Sequence, residues 1–318
     1  MSYLLTNASA LTALQNLSMT QNSLSATQSE LSTGLAIQNA SDNSSYWSIA
    51  QTMTSDNGAL GAVSSALKTS SSMLSTFNSA INQSISVVNN IKNDIVEAQN
   101  PGANLTQIQS DISAQQNALL NIASAAAFNG QNWLNGTVNG STNASVNSST
   151  SAMSMVGSYT NNGGVSSITV NASSVNLITN GASSVSGATG GILGASTTGF
   201  SFQILGASAA GGGAVNVAQA TGANASMLTN MLASVNNTIS NLETAASAIG
   251  SAQEQVTAQQ TFVSTMQTNL SNGVASLVDA DMNQVSTRLQ ALQTQQQLGV
   301  QSLSIANQSS QMILKLFQ

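Results

Sequence analysis

The sequence predicts a mainly α protein. Long antiparallel helices from both chain ends form a coiled-coil rod, and a central Gly-rich, β-containing domain interrupts it. Three observations predict this. Apolar residues recur every three to four positions over both ends of the chain. Between about residues 129 and 224 that periodicity gives way to glycine clusters and short β-branched runs. The one proline of the 318 residues ends a helical pattern instead of interrupting it.

In the first segment a 4,3,4,3 spacing runs through Ala10, Leu14, Leu17, Gln21, Leu24, Gln28, Leu31 and Leu35. This is the a/d seam of a coiled coil or long bundle helix. It stops near Gly34, and Gln38–Asn43 is polar. A longer seam follows at Val63, Leu67, Ser70, Leu74, Phe77, Ile81, Ser84, Val88, Ile91, Ile95 and Ala98. Pro101-Gly102 ends it, because proline lacks an amide donor. The third seam comprises Leu105, Ile108, Ile112, Gln115, Leu119, Ile122 and Ala126, and the short interruption predicts that helices two and three lie antiparallel. Strands are expected at Val165–Val170 and Phe200–Leu205. The helical pattern returns at Leu228, Leu232, Val235, Ile239, Leu242, Ala246, Ile249, Gln253, Val256, Gln260, Val263, Gln267 and Leu270. Past Gly273 a last helical stretch carries Leu277, Leu289, Leu292, Leu303, Ile313 and Leu316.

Composition removes whole function classes. Four Lys/Arg against ten Asp/Glu give a net charge of −6, which cannot supply the basic footprint of a nucleic-acid binder or a polybasic membrane patch. With no His and no Cys, a Ser-His-Asp triad, a thiolate nucleophile and the commonest metal ligands are all missing. No cofactor is expected. The N-terminal stretch has no Lys or Arg and no unbroken apolar core, so it does not read as a Sec signal peptide. No run approaches the 18 apolar residues that span a bilayer. Ser, Thr, Asn and Gln make up nearly half the chain, and no Asp, Glu, Lys or Arg occurs between Asp111 and Glu243.

Few residues are candidates for chemistry. Asp279 and Asp281 are two apart, so on a continuous helix they point about 200° apart and cannot share a metal. Asp281 and Arg288 are seven apart on one face, which predicts an ion pair within or between subunits. Tyr46 and Trp47 fall in a polar stretch. A small buried cluster or a contact with a neighbouring subunit would shelter them. The methionines fall on or beside helical seams and read as adaptable packing. GATGG (Gly187–Gly191) lacks the lysine and the strand–helix context of a phosphate loop. The terminal helices have partial apolar stripes and few i,i+4 ion pairs, so they should be marginal alone. Packing among many identical subunits would supply partners.

LSTGLAIQNASDNSSYWSIAQTM (Leu31–Met53) resembles the conserved stretch near the N-terminus of bacterial flagellins. LVDADMNQVSTRLQALQTQQQLGVQSLSIANQSSQMILKLFQ (Leu277–Gln318) is similar to their C-terminus, and FNGQNWLNG (Phe128–Gly136) to their FNG…LLNG segment, with Trp133 where leucine is usual. The alphaproteobacterial, rhizobial type is the most similar form. The likeness covers roughly 1–140 and 224–318.

The resemblance implies a structural subunit, not an enzyme, that polymerises into the flagellar filament for swimming. Residues 1–44 and 271–318 would form inner-tube terminal helices, 45–128 and 225–270 an outer-tube rod, and 129–224 an exposed, charge-free outer domain. Leu14, Leu17, Leu24, Leu31 and Leu35 would form the N-terminal assembly seam. Leu277, Leu289, Leu292, Leu303, Ile313 and Leu316 would form the C-terminal one. Asp42, Tyr46 and Trp47 would mark the loop between the tubes. Implied partners are further copies of the chain, the filament cap, hook-junction proteins, an export chaperone and O-glycans on outer-domain Ser and Thr. The expected location is extracellular, after export by the flagellar type III route. A hook–filament junction protein and a surface adhesin or glycan-binding protein on the same scaffold are the alternative readings. Relatives carry Arg in the TGLR position where this chain has Ala36, so contacts made there by charge must be made here by apolar seams, amides or hydroxyls.

Overall fold

The computed structural model describes residues 7–135, 152–160, 164–178, 191–194, 204–205, 215–217 and 225–316. Element order is α1 (Ala8–Thr33), α2 (Ser44–Glu97), α3 (Leu105–Ala125), β1 (Ala152–Thr160), β2 (Gly164–Asn171), the single turns α4 (Ala172–Val175) and α5 (Gly191–Gly194), α6 (Ala225–Val278) and α7 (Met282–Leu316). The chain divides into two compact units, residues 1–58 with 266–318, and residues 59–265.

In the larger unit every residue of the long α2 seam from Val63 to Ala98 is buried, Ser70 and Ser84 included. The two serines need no outside partner, because each donates its hydroxyl to the carbonyl four residues back. Helix α3 is capped by Asn104, whose side chain accepts from the Gln107 amide. It runs antiparallel to α2. Gln115 reaches Asp94 near the turn, while Asn121 to Ala126 line a groove with Ser75 to Gln83 further away. A second face of α3 holds the central segments. Buried Gln116 donates to the carbonyls of Ile204 and Val215, and Gln109 accepts from the Val217 amide. Phe77 packs on Trp133 with ring centroids 5.2 Å apart. Leu134, next to Trp133, accepts from the Leu177 and Ile178 amides, and these three with Leu193 and Leu205 are fully buried.

β1 and β2 form an antiparallel hairpin in register from Ala152↔Asn171 to Thr160↔Gly164, with a bulge at Gly157. The expected strand at Val165–Val170 lies within β2. Its partner β1 (AMSMVGSYT) is poor in β-branched residues and was not legible. Most of the expected strand Phe200–Leu205 lies outside the described residues.

Two helix boundaries differ from expectation. α6 does not stop near Gly273 but continues to Val278, and the break falls at Asp279–Asp281. Glycine is tolerated within a packed helix, and here a Cβ at residue 273 would lie 3.0 Å from Met53 Cε. The true stop is set by Asp281, whose carboxylate accepts from the amides of Asn283 and Gln284 and so caps α7. Likewise α2 begins at Ser44, so Tyr46 and Trp47 stand in its first turn and not in a loop. Asn43 caps that turn by accepting from the Tyr46 amide.

Candidate assembly site

α1 and α7 pack along one another in the smaller unit. Four contacts fix their antiparallel register. Asn7 Nδ2 donates to the Ala306 carbonyl at 2.9 Å, Gln296 Nε2 donates to Gln21 Oε1 at 2.7 Å, and Arg288 pairs with Glu30 at 3.6 Å. Leu17 fills a notch at Gly299, where a Cβ would lie 3.2 Å from its Cδ1. Asn7 does double work: its Oδ1 also accepts from the Ala10 amide as the α1 N-cap.

The burial pattern defines heptads. In α1 the inward residues are Ala10, Ala13, Leu17, Thr20, Leu24, Thr27 and Leu31, with Leu24 and Thr27 buried. Those in α7 are Val285, Leu289, Leu292, Gln296, Gly299, Leu303 and Ala306. Both follow the 3.5-residue period. In α1 the seam keeps Leu17, Leu24 and Leu31, but its alternate positions are one residue earlier than the sequence suggested: Ala13, Thr20 and Thr27 instead of Leu14, Gln21 and Gln28. Leu14 is exposed, 54% of its surface facing outward. Leu35 and Leu277 are half-buried beside the linker. The side chains of Ile313 and Leu316 lie outside the described residues. Val285 and Gly299 belong to the interface and were not singled out from sequence. Val285 begins the α7 seam one position after Gln284, in the capping turn, and glycine carries no apolar signal.

Large apolar side chains therefore remain on both flanks of the α1–α7 ribbon. Heptad geometry puts exposed Leu11, Leu14 and Val300 on the flank of the e positions. Exposed Met19, Leu298 and Ile305 lie on the opposite one, which also carries Glu30 and Arg288. Within the chain the Asp281–Arg288 pair does not form. Asp281 is engaged as the α7 cap, and Arg288, two turns further along, projects across to Glu30.

Where the two helices break, their linkers pair. Ala36 N–H donates to the Val278 carbonyl at 2.7 Å, and Ala280 N–H donates to the Gly34 carbonyl at 2.8 Å, closing a bridge between Leu35 and Asp279. Gly34 has a φ of +75°, the left-handed conformation that ends α1. Asp42 then folds the polar stretch back by accepting from the amides of Gln38 and Asn39. Those two backbone bonds, Asn39 first, hold its carboxyl below the usual aspartate range. Tyr46 is 48% exposed and Trp47 half-buried, so the expected intrachain aromatic cluster is not made. Among the described residues, no group of three or more carboxylates is placed to hold a metal ion, and no helix is long and apolar enough to cross a membrane.

The family model for the bacterial flagellin N-terminal helical region matches residues 4–139, and that for the bacterial flagellin C-terminal helical region matches 232–317. The chain belongs to the bacterial flagellins. Similar relatives include flagellin C of Rhizobium meliloti (strain 1021), 36% identical, and a flagellin of Brucella melitensis biotype 1, 39% identical, each alignment covering all of both chains. A flagellin of Caulobacter vibrioides is 32% identical over 98% of this chain and 97% of its own. The flagellin described here is thus a structural subunit of the bacterial flagellar filament, and the filament is its extracellular setting.

Proposed function

We propose that the α1–α7 ribbon is the polymerising surface, and that copies join flank to flank. The observation that supports this is the pair of apolar flanks. A single apolar face would be satisfied by a closed two-fold dimer. Two different faces on opposite sides of one ribbon favour a heterologous contact, which repeats until it closes a ring or winds into an open helix. Leu11, Leu14 and Val300 of one copy would meet Met19, Leu298 and Ile305 of the next. Each junction would gain by removing apolar surface from water. In this reading Leu17, Leu24 and Leu31 hold the ribbon together with Leu289, Leu292 and Leu303, and Ile313 and Leu316 extend the C-terminal seam.

The same reading assigns residues 1–44 and 271–318 to an inner tube, 45–128 and 225–270 to an outer tube, and 129–224 to the filament exterior. Half-exposed Tyr46 and Trp47, beside Asp42, would contact a neighbouring subunit at the boundary between the tubes. The role is structural, without catalysis. Export as an unfolded chain through the flagellar secretion channel suits a sequence without cysteines to crosslink. The cap, the junction proteins, a chaperone for the exposed terminal helices and O-glycans on the outer domain are partners by family likeness.

The test is negative-stain electron microscopy of purified full-length chain after salt-induced polymerisation, beside truncations lacking 1–40 or 280–318. Filaments from the full chain and none from the truncations are expected. Filaments from either truncation would refute the assignment of the polymerising surface.

A further inference from the structure

The junction of α2 and α3, outside the α1–α7 ribbon, contains a further polar arrangement. Gln115 Nε2 donates to Asp94 Oδ2 at 2.7 Å, a short, charge-assisted bond. The other end of the same amide, Gln115 Oε1, is buried and has no hydrogen-bond partner among the described residues. A buried carbonyl oxygen without a donor loses its hydration with no bond in return, so something is expected to satisfy it. The polar ends of an amide and a carboxyl have matching spacing. An amide that donates through the hydrogen on the same side as its own oxygen can set that oxygen against the second carboxyl oxygen, and one hydrogen between the two oxygens then completes the pair.

We propose that Asp94 and Gln115 form a binding site for a single proton. Protonated Asp94 donates through Oδ1 to Gln115 Oε1 while Oδ2 keeps accepting from Nε2, and the two bonds latch α2 to α3. No bond between heavy atoms forms or breaks. Solvent supplies the proton and takes it back.

The surroundings favour the protonated form. Glu97, on the same helix, and Asp111, on α3, both act on Asp94 with like charge. Lys92 is two residues away on α2, which places it about 200° around the helix from Asp94. Neither the central segment nor α6 carries any charged residue before Glu243. Partial burial acts in the same direction and is the largest cause; the Gln115 bond to the carboxylate acts against it, and the net effect holds the Asp94 carboxyl above its usual range. The three carboxylates are not placed to share a metal ion, so a proton suits the site where a divalent cation does not.

The sign of the linkage follows. A carboxyl whose pKa is raised by folding binds its proton more tightly in the folded chain. This contribution to stability therefore grows as pH falls through the raised folded value and is complete below the ordinary unfolded one. As pH rises it is lost, which is opposite to the behaviour of Asp42.

Asp94→Asn makes a direct test, because asparagine supplies both bonds permanently: Oδ1 accepts from Nε2 and Nδ2 donates to Oε1. The experiment uses the full chain. Thermal melting is followed from pH 3.5 to 7.5 for wild type, Asp94→Asn and Asp94→Ala, and Asp-selective ¹³C NMR follows the six aspartate carboxyls of the wild type. At pH 7 Asp94→Asn should melt roughly 2–4 °C above wild type, the shift that one added hydrogen bond produces in a chain of this class. The gap should close on acidification, and Asp94→Ala should melt lowest at acid pH. In the wild type, one carboxyl should titrate above the ordinary aspartate range and be absent from the Asp94→Asn spectrum. If Asp94→Asn melts at or below wild type at pH 7, a bound water already satisfies Oε1 and the proposal fails. It fails equally if the Asp94 carboxyl titrates within or below the usual range, a readout that needs no variant to fold.

Discussion

Ile305→Ser isolates the outward flank of the ribbon from its inner seam. Ile305 is 67% exposed in the single chain, on the flank it shares with Leu298 and Met19. Burying an isoleucine completely contributes about 1.5–3 kcal/mol. Covering the exposed two-thirds by a neighbouring copy should therefore contribute about 1–2 kcal/mol to each subunit added. At 1.4 kcal/mol per tenfold, losing it should raise the critical concentration for polymerisation about 5- to 30-fold. The melting temperature of the unpolymerised chain should barely change, since surface substitutions stay within about 0.5 kcal/mol. Sedimentation of polymer from graded monomer concentrations measures the first quantity and calorimetry the second. Leu24→Ala is the contrasting control. Leu24 is only 6% exposed, so its loss should cost about 2–5 kcal/mol within the chain and weaken the ribbon itself. An unchanged critical concentration for Ile305→Ser, with the double variant Leu298→Ser/Ile305→Ser equally unaffected, would show that this flank is not an interface.

Three further outcomes are expected. Gly191→Ala should destabilise the larger unit by about 2–4 kcal/mol by calorimetry, because a Cβ there would lie 2.7 Å from the Leu177 carbonyl oxygen on a backbone with φ of +71°. Arg288→Met should lower stability by less than about 1 kcal/mol, and the difference from wild type should vanish in 1 M salt, since the guanidinium side of the Glu30 pair is 52% exposed. Asp42→Asn should remove a contribution present above the ordinary carboxylate range and lost as pH falls through the depressed folded value. Its melting curve should therefore lie below wild type at neutral pH and join it in strong acid.

The reliability of the sequence reading depended on which residue shared the seam. In α2 both alternating positions carry large apolar side chains, such as Leu74 with Phe77 and Ile91 with Ile95, and all are buried. In α1 and α6 only every seventh residue is unambiguous: Leu17 and Leu24, or Val235, Leu242, Ile249 and Val256. The partner position lies three or four residues on, and hydrophobicity favours the fourth: Leu14 in α1, Leu232 and Ile239 in α6. The fold uses the third, burying Thr27, Met231, Thr238, Ala245 and Ala252. Small residues at these positions let helices approach closely, as Gly299 does for Leu17. Apolar periodicity reports how much surface prefers to leave water, not which neighbour covers it. For Leu14 the structure leaves it uncovered in the single chain. The Glu30–Arg288 pair was hidden for another reason: its members are distant in sequence, and Asp281 offered a nearer partner. The Asp281 cap, by contrast, was legible in principle from an aspartate followed by a helical pattern.

The hydroxyl groups that dominate the composition also take on a different meaning. Serine and threonine could hydrogen-bond to neighbouring subunits in place of the missing charges. Along the helices most of the threonines are instead turned inward on their own backbone. Thr257, Thr261 and Thr265 donate to the carbonyls four residues back at 2.9, 3.1 and 3.0 Å, and Thr12, Thr20, Thr27 and Thr52 do the same. Once its proton is committed, a threonine presents a methyl group and an oxygen that can only accept. A row of them is therefore closer to an apolar surface than the sequence suggests. The donors left for contacts between copies are the side-chain amides and the remaining serine hydroxyls, and Gln296, already reaching from α7 to Gln21, illustrates how an amide acts across a helix pair. A charge-poor lattice of this kind would rest on methyl and leucine contacts for affinity and on amides for register. Both are insensitive to ionic strength, in contrast to the Glu30–Arg288 ion pair across the ribbon.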